Sequence, residues 1–326
     1  MIFFTSICAN YFDKAAALGV SIKKHMPQSK FVVGLVEEKV PEAALKLDFC
    51  DDVVLSKDIG IQNFPGFIFK HRIVEASTSV KPALTLELMR RYPKEDYFVF
   101  LDPDCMAFSN FEENLQSQLN ESPIALTPHL LSPGNVDMEI SCLKHGVFNL
   151  GFYAVKRSPE GEKFLRWWNE RLYEFCYEDF NSGLFTDQKW INLAVAFFEP
   201  KIIKDSGYNF ATWNFMERQL SSVGNGTYAV DGSPLKFVHF SGHDKNTFEW
   251  ASKQWGNEQN ISVGKELLET YRKSLAPFES FRSIKWSYGS YLNGTPIKDE
   301  ERLNYRQNQW RTGDRTLNPF SSEIAL

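Results

Sequence analysis

Apolar positions along the first 250 residues follow two alternating patterns. Short continuous runs at residues 2–7, 31–36, 97–101, 124–127 and 147–155 have the length and the β-branched and aromatic content of strands buried on both faces. Residues 53–55 make a weaker run of this kind, and 236–240 closes the series. The intervening stretches have helical spacing. Leu18 and Ile22 share a face within residues 14–24, and residues 84–91 are entered through Pro82, which suits a first helical turn. Ser158-Pro159-Glu160 is a helix start with a serine N-cap, followed by the stripe Phe164, Leu165, Trp168, Leu172 and Phe175. Trp190, Leu193, Ala194, Phe197 and Phe198 recur at one-turn intervals, predicting another helix opened by Asp187-Gln188.

Strands alternating with helices predict an α/β fold, a mostly parallel sheet with helices on both faces. In such sheets the ligand site lies beyond the carboxyl ends of the strands, so the residues just after each strand carry the functional weight. After about Gly256 the pattern changes. Residues 265–275 can be a helix, and then Tyr, Trp, Asn and Arg dominate with few aliphatics. The expected division is a main domain over 1–255 and an extension over 256–326 that packs on it through aromatics.

Composition removes several classes. The 326 residues include 15% aromatics, which excludes intrinsic disorder, and 36 Lys+Arg against 41 Asp+Glu, a formal charge of −5 that argues against nucleic acid as partner. No run approaches the roughly 20 apolar residues of a membrane span. The N-terminus lacks a basic segment and loses its apolar character too early for a signal peptide. Five widely spread cysteines without a CxxC pair read as reduced thiols in a cytoplasm. From Tyr271 onward basic residues outnumber acidic ones, and Arg302, Arg306, Arg311 and Arg315 read first as a plain charged surface, with an anionic lipid-linked acceptor or a peripheral membrane contact as the functional alternative.

Asp102-Pro103-Asp104 directly follows the strand at 97–101. Residues i and i+2 of an extended segment face the same way, so both carboxylates can reach one point. Paired hard oxygen ligands suit Mg²⁺ or Mn²⁺, with substrate phosphates completing the shell; a turn with two solvated acids is the structural alternative. His239 ends another strand in Val238-His239-Phe240-Ser241-Gly242-His243-Asp244-Lys245. Gly242 permits close backbone approach there, and Lys245 is a cation able to reach a phosphate. Together these groups describe a diphosphate site. Asp187 is also explained as a helix N-terminal carboxylate, and Asn149 and Gly151 as a bulge or a buried amide. His129 follows a strand and borders either the core or an acceptor cleft. Trp167-Trp168 reads as half core and half surface, and Pro133 to Glu139 as a mobile loop over the site.

In this order Asp102-x-Asp104, Asn149-Leu-Gly151, Asp187-Gln188 and His239-Phe-x-Gly-x-x-Lys245 resemble the GT-A glycosyltransferases, and most nearly glycosyltransferase family 8. Asn10-Tyr11 after the first strand is similar to that family's base-binding pair, and Lys81-Pro82, Gly207-Tyr-Asn209 and Trp213-Asn214 are similar to a bacterial polysaccharide-building branch. The resemblance covers roughly residues 1–250. It departs at Lys245-Asn246-Thr247, where the family has Lys-Pro-Trp, and at Lys81, which stands farther upstream of Asp102 than the family's basic residue.

The resemblance implies a GT-A fold and transfer from a nucleotide sugar, UDP-linked, to a glycan or glycolipid acceptor in surface polysaccharide synthesis. By the same resemblance Asp102, Asp104 and His239 would hold Mn²⁺ or Mg²⁺. Lys245 and Gly242 would hold the diphosphate, and Thr5, Asn10, Tyr11 and Lys81 would serve the nucleotide side with Asp102. Asn149, Asp187 and Gln188 would line the sugar and acceptor side. Retention of configuration is implied; an inverting enzyme would need a carboxylate base such as Glu139, Asp137 or Asp187. A sugar-phosphate nucleotidyltransferase would need a Gly-rich basic loop after strand 1, which Ile7-Cys8-Ala9-Asn10-Tyr11 is not, and a dehalogenase-type phosphatase would not continue its acids with Cys105-Met106.

Overall fold

The structure, a computed structural model, describes residues 1–255, 258–312 and 318–321; of Lys46, Lys245, Phe248, Ser252 and Trp255 it describes the backbone alone. The strands are β1 (Ile2–Ile7), β2 (Lys30–Leu35), β3 (Asp52–Leu55), β4 (Tyr97–Leu101), β5 (Cys105–Ala107), β6 (Ile124–Pro128), β7 (Phe148–Lys156), β8 (Glu178–Asp179), β9 (Leu184–Phe185), β10 (Lys201–Ile202), β11 (Leu220–Gly224), β12 (Thr227–Val230), β13 (Ser233–Pro234) and β14 (Phe237–His239). The helices are α1 (Phe12–His25), α2 (Phe64–Phe69), α3 (Ile73–Ser79), α4 (Lys81–Arg91), α5 (Glu112–Glu121), α6 (Val136–His145), α7 (Pro159–Phe175), α8 (Ala194–Phe197), α9 (Thr247–Trp255), α10 (Glu258–Leu275) and α11 (Asp299–Tyr305).

Seven strands form the central sheet in the order β10-β6-β7-β4-β1-β2-β3. Neighbours pair in parallel except β7, which runs antiparallel to both β4 and β6. Alternation along each strand divides the core. Phe3, Phe31, Val33, Val99 and Leu101 face one side with Leu18 of α1 and Leu115 of α5; Ile2, Phe4, Phe98 and Phe100 face the other with Leu84 of α4 and Trp168 of α7. The reversed β7 matters for function. Its first residues lie at the edge where the parallel strands end, so Asn149, Leu150 and Gly151 meet the turn after β4: Leu101 pairs with Phe152, and the Asp102 N–H donates to Gly151 O at 2.8 Å.

Several local expectations are corrected. β14 does not join the central sheet; it pairs antiparallel with β5 beyond the end of β4. Residues 133–139 are not all loop, because α6 begins at Val136 with Asn135 as N-cap, its side chain accepting from Met138 N at 2.9 Å. Asp187-Gln188 opens a single 3₁₀ turn followed by the four-residue α8, and Leu193 and Phe197 of the expected apolar stripe are exposed.

The C-terminal segment packs through aromatics. Tyr271 of α10 stacks on Phe240 with ring centroids 4.2 Å apart, while Tyr288, Tyr291, Tyr305, Trp310 and Phe320 share a core with α2. Two of its arginines are structural, which corrects their reading as a membrane or acceptor surface. Arg302 is buried and donates to Phe69 O and His71 O; Arg306 is buried, donates to Lys70 O and pairs with Glu75 at 2.7 Å. Their guanidinium groups satisfy carbonyls at the end of α2, where helical partners run out. Arg311 is exposed, and Arg315 lies outside the described residues. No described helix is long and apolar enough to cross a membrane, and all five cysteines are free thiols.

Candidate active site

The turn after β4 and the end of β14 bring the site together. In the β5–β14 ladder His239 pairs with Cys105, and Phe240 N donates to Asp104 O at 2.8 Å. His239 is thereby held beside both acids, its Nε2 3.0 Å from Asp104 Oδ1 and 3.9 Å from Asp102 Oδ2. Gly151 makes room for the ring: a Cβ there would stand 2.3 Å from His239 Cε1.

These groups line a cavity of about 460 Å³ together with Lys81, His129, Asn149, Asp187, Gln188 and Trp213. Lys81, the first residue of α4, sends its ammonium to Asp102 (3.2 Å), Asp187 (2.8 Å) and Leu150 O (3.0 Å). Asp187 also accepts from Thr186 Oγ1 at 3.1 Å, and Thr186 holds a left-handed φ of 45°. Gln188 is a strut, accepting from Leu150 N at 3.1 Å and donating to His145 O at 3.1 Å. Asn149 Oδ1 faces His239 Nδ1 at 3.2 Å.

Charge and burial oppose each other here. Burial pushes the Asp102 carboxyl up, beyond what Lys81 and His239 counter. At Asp104 burial also works against ionisation, but His239, with Lys14 and His243 nearby, outweighs it and holds the carboxyl well below the usual range. His239 is the complement: burial lowers it, and Asp104 and Asp102 raise it above the ordinary value. At His129 burial dominates and pushes it down to about 4.

The donor set fits a divalent cation. Two carboxylates and an imidazole converge, and Asp102 and Asp104 keep 26% and 17% of their side chains exposed to the cavity. Cys105 Sγ lies within 4.8 Å of ligand atoms of Asp104 and His239. Its thiol approaches Gly151 O at 3.8 Å, and burial with both carboxylates pushes it well up, while the two carboxylates and the imidazole are the donors that suit a hard divalent cation.

A second cavity of about 610 Å³ is lined by Asn10, Tyr11, Lys14, His243, Arg272 and Arg282 among others. Lys14 Nζ sits 4.0 Å over the Tyr11 ring and 3.8 Å from the exposed Asp244.

Of the residues expected from sequence, Lys81, Asp102, Asp104, Asn149, Asp187, Gln188 and His239 share the first cavity, and Asn10 and Tyr11 line the second. Thr5 is fully buried within β1 and lines neither. Gly242 has φ +70° and sits beside the cavity-lining Ser241; the Lys245 side chain lies outside the described residues. Asp137 and Glu139 line neither cavity, so they are not placed as bases. Sequence reasoning gave no role to Lys14, Asn209, Trp213 or Arg272. Lys14 had one usable signal, a cation within the largely apolar first helical turns after Asn10-Tyr11.

No family model matches the chain. Two curated proteins of Bacillus subtilis (strain 168), YfnF and YfnD, both named only as uncharacterized, are 27% and 28% identical over 169 and 171 residues. The matches cover 51% and 50% of this chain and 55% and 52% of theirs, so the chain spans about half the length of the curated relatives it matches. Among solved structures, a galactosyltransferase, LgtC, in complex with donor and acceptor sugar analogues superposes with a TM-score of 0.51 over 85% of this chain and 96% of that one, at 15% identity. At that identity the likeness is one of architecture, and with the mostly parallel sheet and its single reversed strand it gives this chain the GT-A fold that its motifs resemble.

Proposed function

We propose that the chain is a metal-dependent glycosyltransferase that moves a sugar from a nucleotide sugar, UDP-linked, to a glycan or glycolipid acceptor of surface polysaccharide. The observation that carries this reading is the convergence of Asp102, Asp104 and His239 on the first cavity. That cavity would take the sugar and its acceptor, and the second, with Asn10 and Tyr11, the nucleotide.

Breaking a sugar–diphosphate bond leaves negative charge on the departing phosphate. Asp102, Asp104 and His239 would hold Mn²⁺ or Mg²⁺, whose charge stabilises that leaving group. Lys14 would face the diphosphate from the nucleotide side, alongside Lys245. Tyr11 and Asn10 would take the base. On the sugar side Lys81 neutralises Asp102 and fixes Asp187, while Asn149 and Gln188 hold the strand edge on which the sugar would rest. Asp187 is committed to its ion pair with Lys81 and its hydrogen bond from Thr186. It is therefore poorly suited to be a general base, which favours retention.

The test is thermal stabilisation by UDP with Mn²⁺ and slow hydrolysis of a panel of nucleotide sugars. Stabilisation should vanish with EDTA and in Asp104→Ala; its persistence in that variant would remove the metal assignment. The anomeric configuration of the product reports retention. An inverted product would instead assign base chemistry to a carboxylate such as Glu178, which lines the same cavity.

A further inference from the structure

Resting on that reading of the metal site, we infer that Asn149 is a positioning residue that sets which nitrogen of His239 faces the cation. His239 reaches Asp104 and Asp102 through Nε2, and its other nitrogen, Nδ1, lies 3.2 Å from Asn149 Oδ1. An amide oxygen only accepts, so Nδ1 carries the proton and the Nε2 lone pair is the one presented to a metal.

The direction of the Asn149 amide is itself determined. Its Oδ1 also accepts from Gly151 N at 3.1 Å and from Asn209 Nδ2 at 3.0 Å. On the other side its Nδ2 lies 3.3 Å from His129 Nε2. His129 Nδ1 donates to Val147 O at 3.2 Å, which leaves Nε2 as an acceptor for the Asn149 N–H. A flipped amide would set N–H against the Gly151 and Asn209 donors and oxygen against the His129 lone pair. Asn209 Nδ2 also reaches Thr127 Oγ1 at 3.0 Å, and the backbone N–H of Gly151 is the donor whose direction is fixed by the strand. His129 and Asn209 thus hold Asn149, and Asn149 holds the imidazole.

Such outer groups orient a metal ligand and raise its basicity. The measurement is Mn²⁺ affinity of the full chain by electron paramagnetic resonance, without donor or acceptor. Asn149→Leu, close in volume but without the acceptor, should weaken Mn²⁺ binding about 10–100-fold, whereas Asn149→Asp, which keeps an oxygen toward Nδ1, should stay within about threefold of the parent. Equal affinity in Asn149→Leu and parent, or equal loss in both variants, overturns the inference. A role of Asn149 in sugar contact alone would leave Mn²⁺ binding untouched in both. Should Asn149→Leu fail to fold, the parent answers the question: ¹⁵N-histidine spectra with saturating Mg²⁺ should show His239 protonated at Nδ1 and not at Nε2, and the reverse tautomer refutes it. Absence of Mn²⁺ binding by the parent would instead sink the metal-dependent function, which keeps the two failures distinct.

Discussion

Lys81 Nζ lies 2.8 Å from Asp187 Oδ2 and 3.2 Å from Asp102 Oδ1, so one buried ammonium joins two carboxylates from motifs far apart in the chain. It does so from the first turn of α4, where the helix dipole disfavours a cation and the two acids must compensate. Burial works against its charge, and Asp102 and Asp187 outweigh that and raise its pKa. Lys81→Met would leave Asp187 buried and unpaired, a change expected to lower stability by about 3–5 kcal/mol. Adding Asp187→Asn removes the stranded charge and should recover part of the loss. Urea melts of the two single variants and the double variant decide it, since additive losses would mean the pair is not coupled.

At Gly151 strand β7 leaves room for the His239 imidazole. A methyl group there would stand 2.3 Å from His239 Cε1 and 2.5 Å from Nδ1, so Gly151→Ala must displace the ring. The expected stability loss is about 1–3 kcal/mol, typical of overpacking. The larger effect is functional: stabilisation by Mn²⁺ in a thermal melt should disappear while the apo fold survives. Unchanged metal stabilisation would mean that His239 is not a ligand in its observed position.

What the sequence disclosed and what it withheld divide along physical lines. Strands β1, β2, β4, β6 and β7 were legible because they are buried on both faces and read as continuous apolar runs, and Asp102 and Asp104 because they follow such a run directly. That β7 runs antiparallel was not legible. Direction is a property of pairing, and only the reversal carries Asn149 to the edge beside Asp102. The pairing of β14 with β5 was hidden for the same reason, although it sets His239 beside Asp104. α6 had its signals in Asn135, the acids Asp137 and Glu139, and Gly146 beyond its end, yet its outward face carries the exposed Val136, Ile140 and Leu143, so no amphipathic burial marked it. Arg302 and Arg306 looked like a charged surface because composition counts charges without their partners; the α2-end carbonyls they satisfy lie more than 200 residues away.

Lys14 offers a separate handle on the proposed nucleotide side. It is nearly buried, its ammonium lies over the Tyr11 ring, its charge helps hold the Asp104 carboxyl down, and its carboxylate contact is to the exposed Asp244 at 3.8 Å. Lys14→Met keeps the packing over Tyr11 and removes the charge. UDP affinity in the presence of Mn²⁺ should fall about tenfold, equivalent to about 1.4 kcal/mol. Affinity for Mn²⁺ alone should hold or rise, because a cation near Asp104 has gone. Calorimetric titrations with each ligand separate the two effects. An equal loss of both would show Lys14 acting on the metal ligands instead of the diphosphate.

His71, between α2 and α3, gives a pH test independent of the site. It is fully buried, with its ring 4.9 Å from Phe67 and 5.7 Å from Tyr177. Burial, and then the charges of Lys70, Arg306 and Arg302, push it well below the ordinary histidine value. In the unfolded chain it titrates at about 6.5. In mild acid the unfolded state therefore binds a proton that the native state does not, and stability falls as pH drops below that value, with no contribution from this group above it. The slope for one such proton approaches about 1.4 kcal/mol per pH unit. His129 and His243 are also lowered, but they are present in parent and variant alike and cancel in the difference. His71→Leu should gain on the parent by about 1.2 kcal/mol between pH 6 and pH 5 in urea melts, and by almost nothing between pH 7.5 and pH 8.5. Parallel profiles would mean that the native protein takes up the proton at His71 as readily as the unfolded chain does, and the buried ring would then need a charge partner that its surroundings of Lys70, Arg302 and Arg306 do not supply.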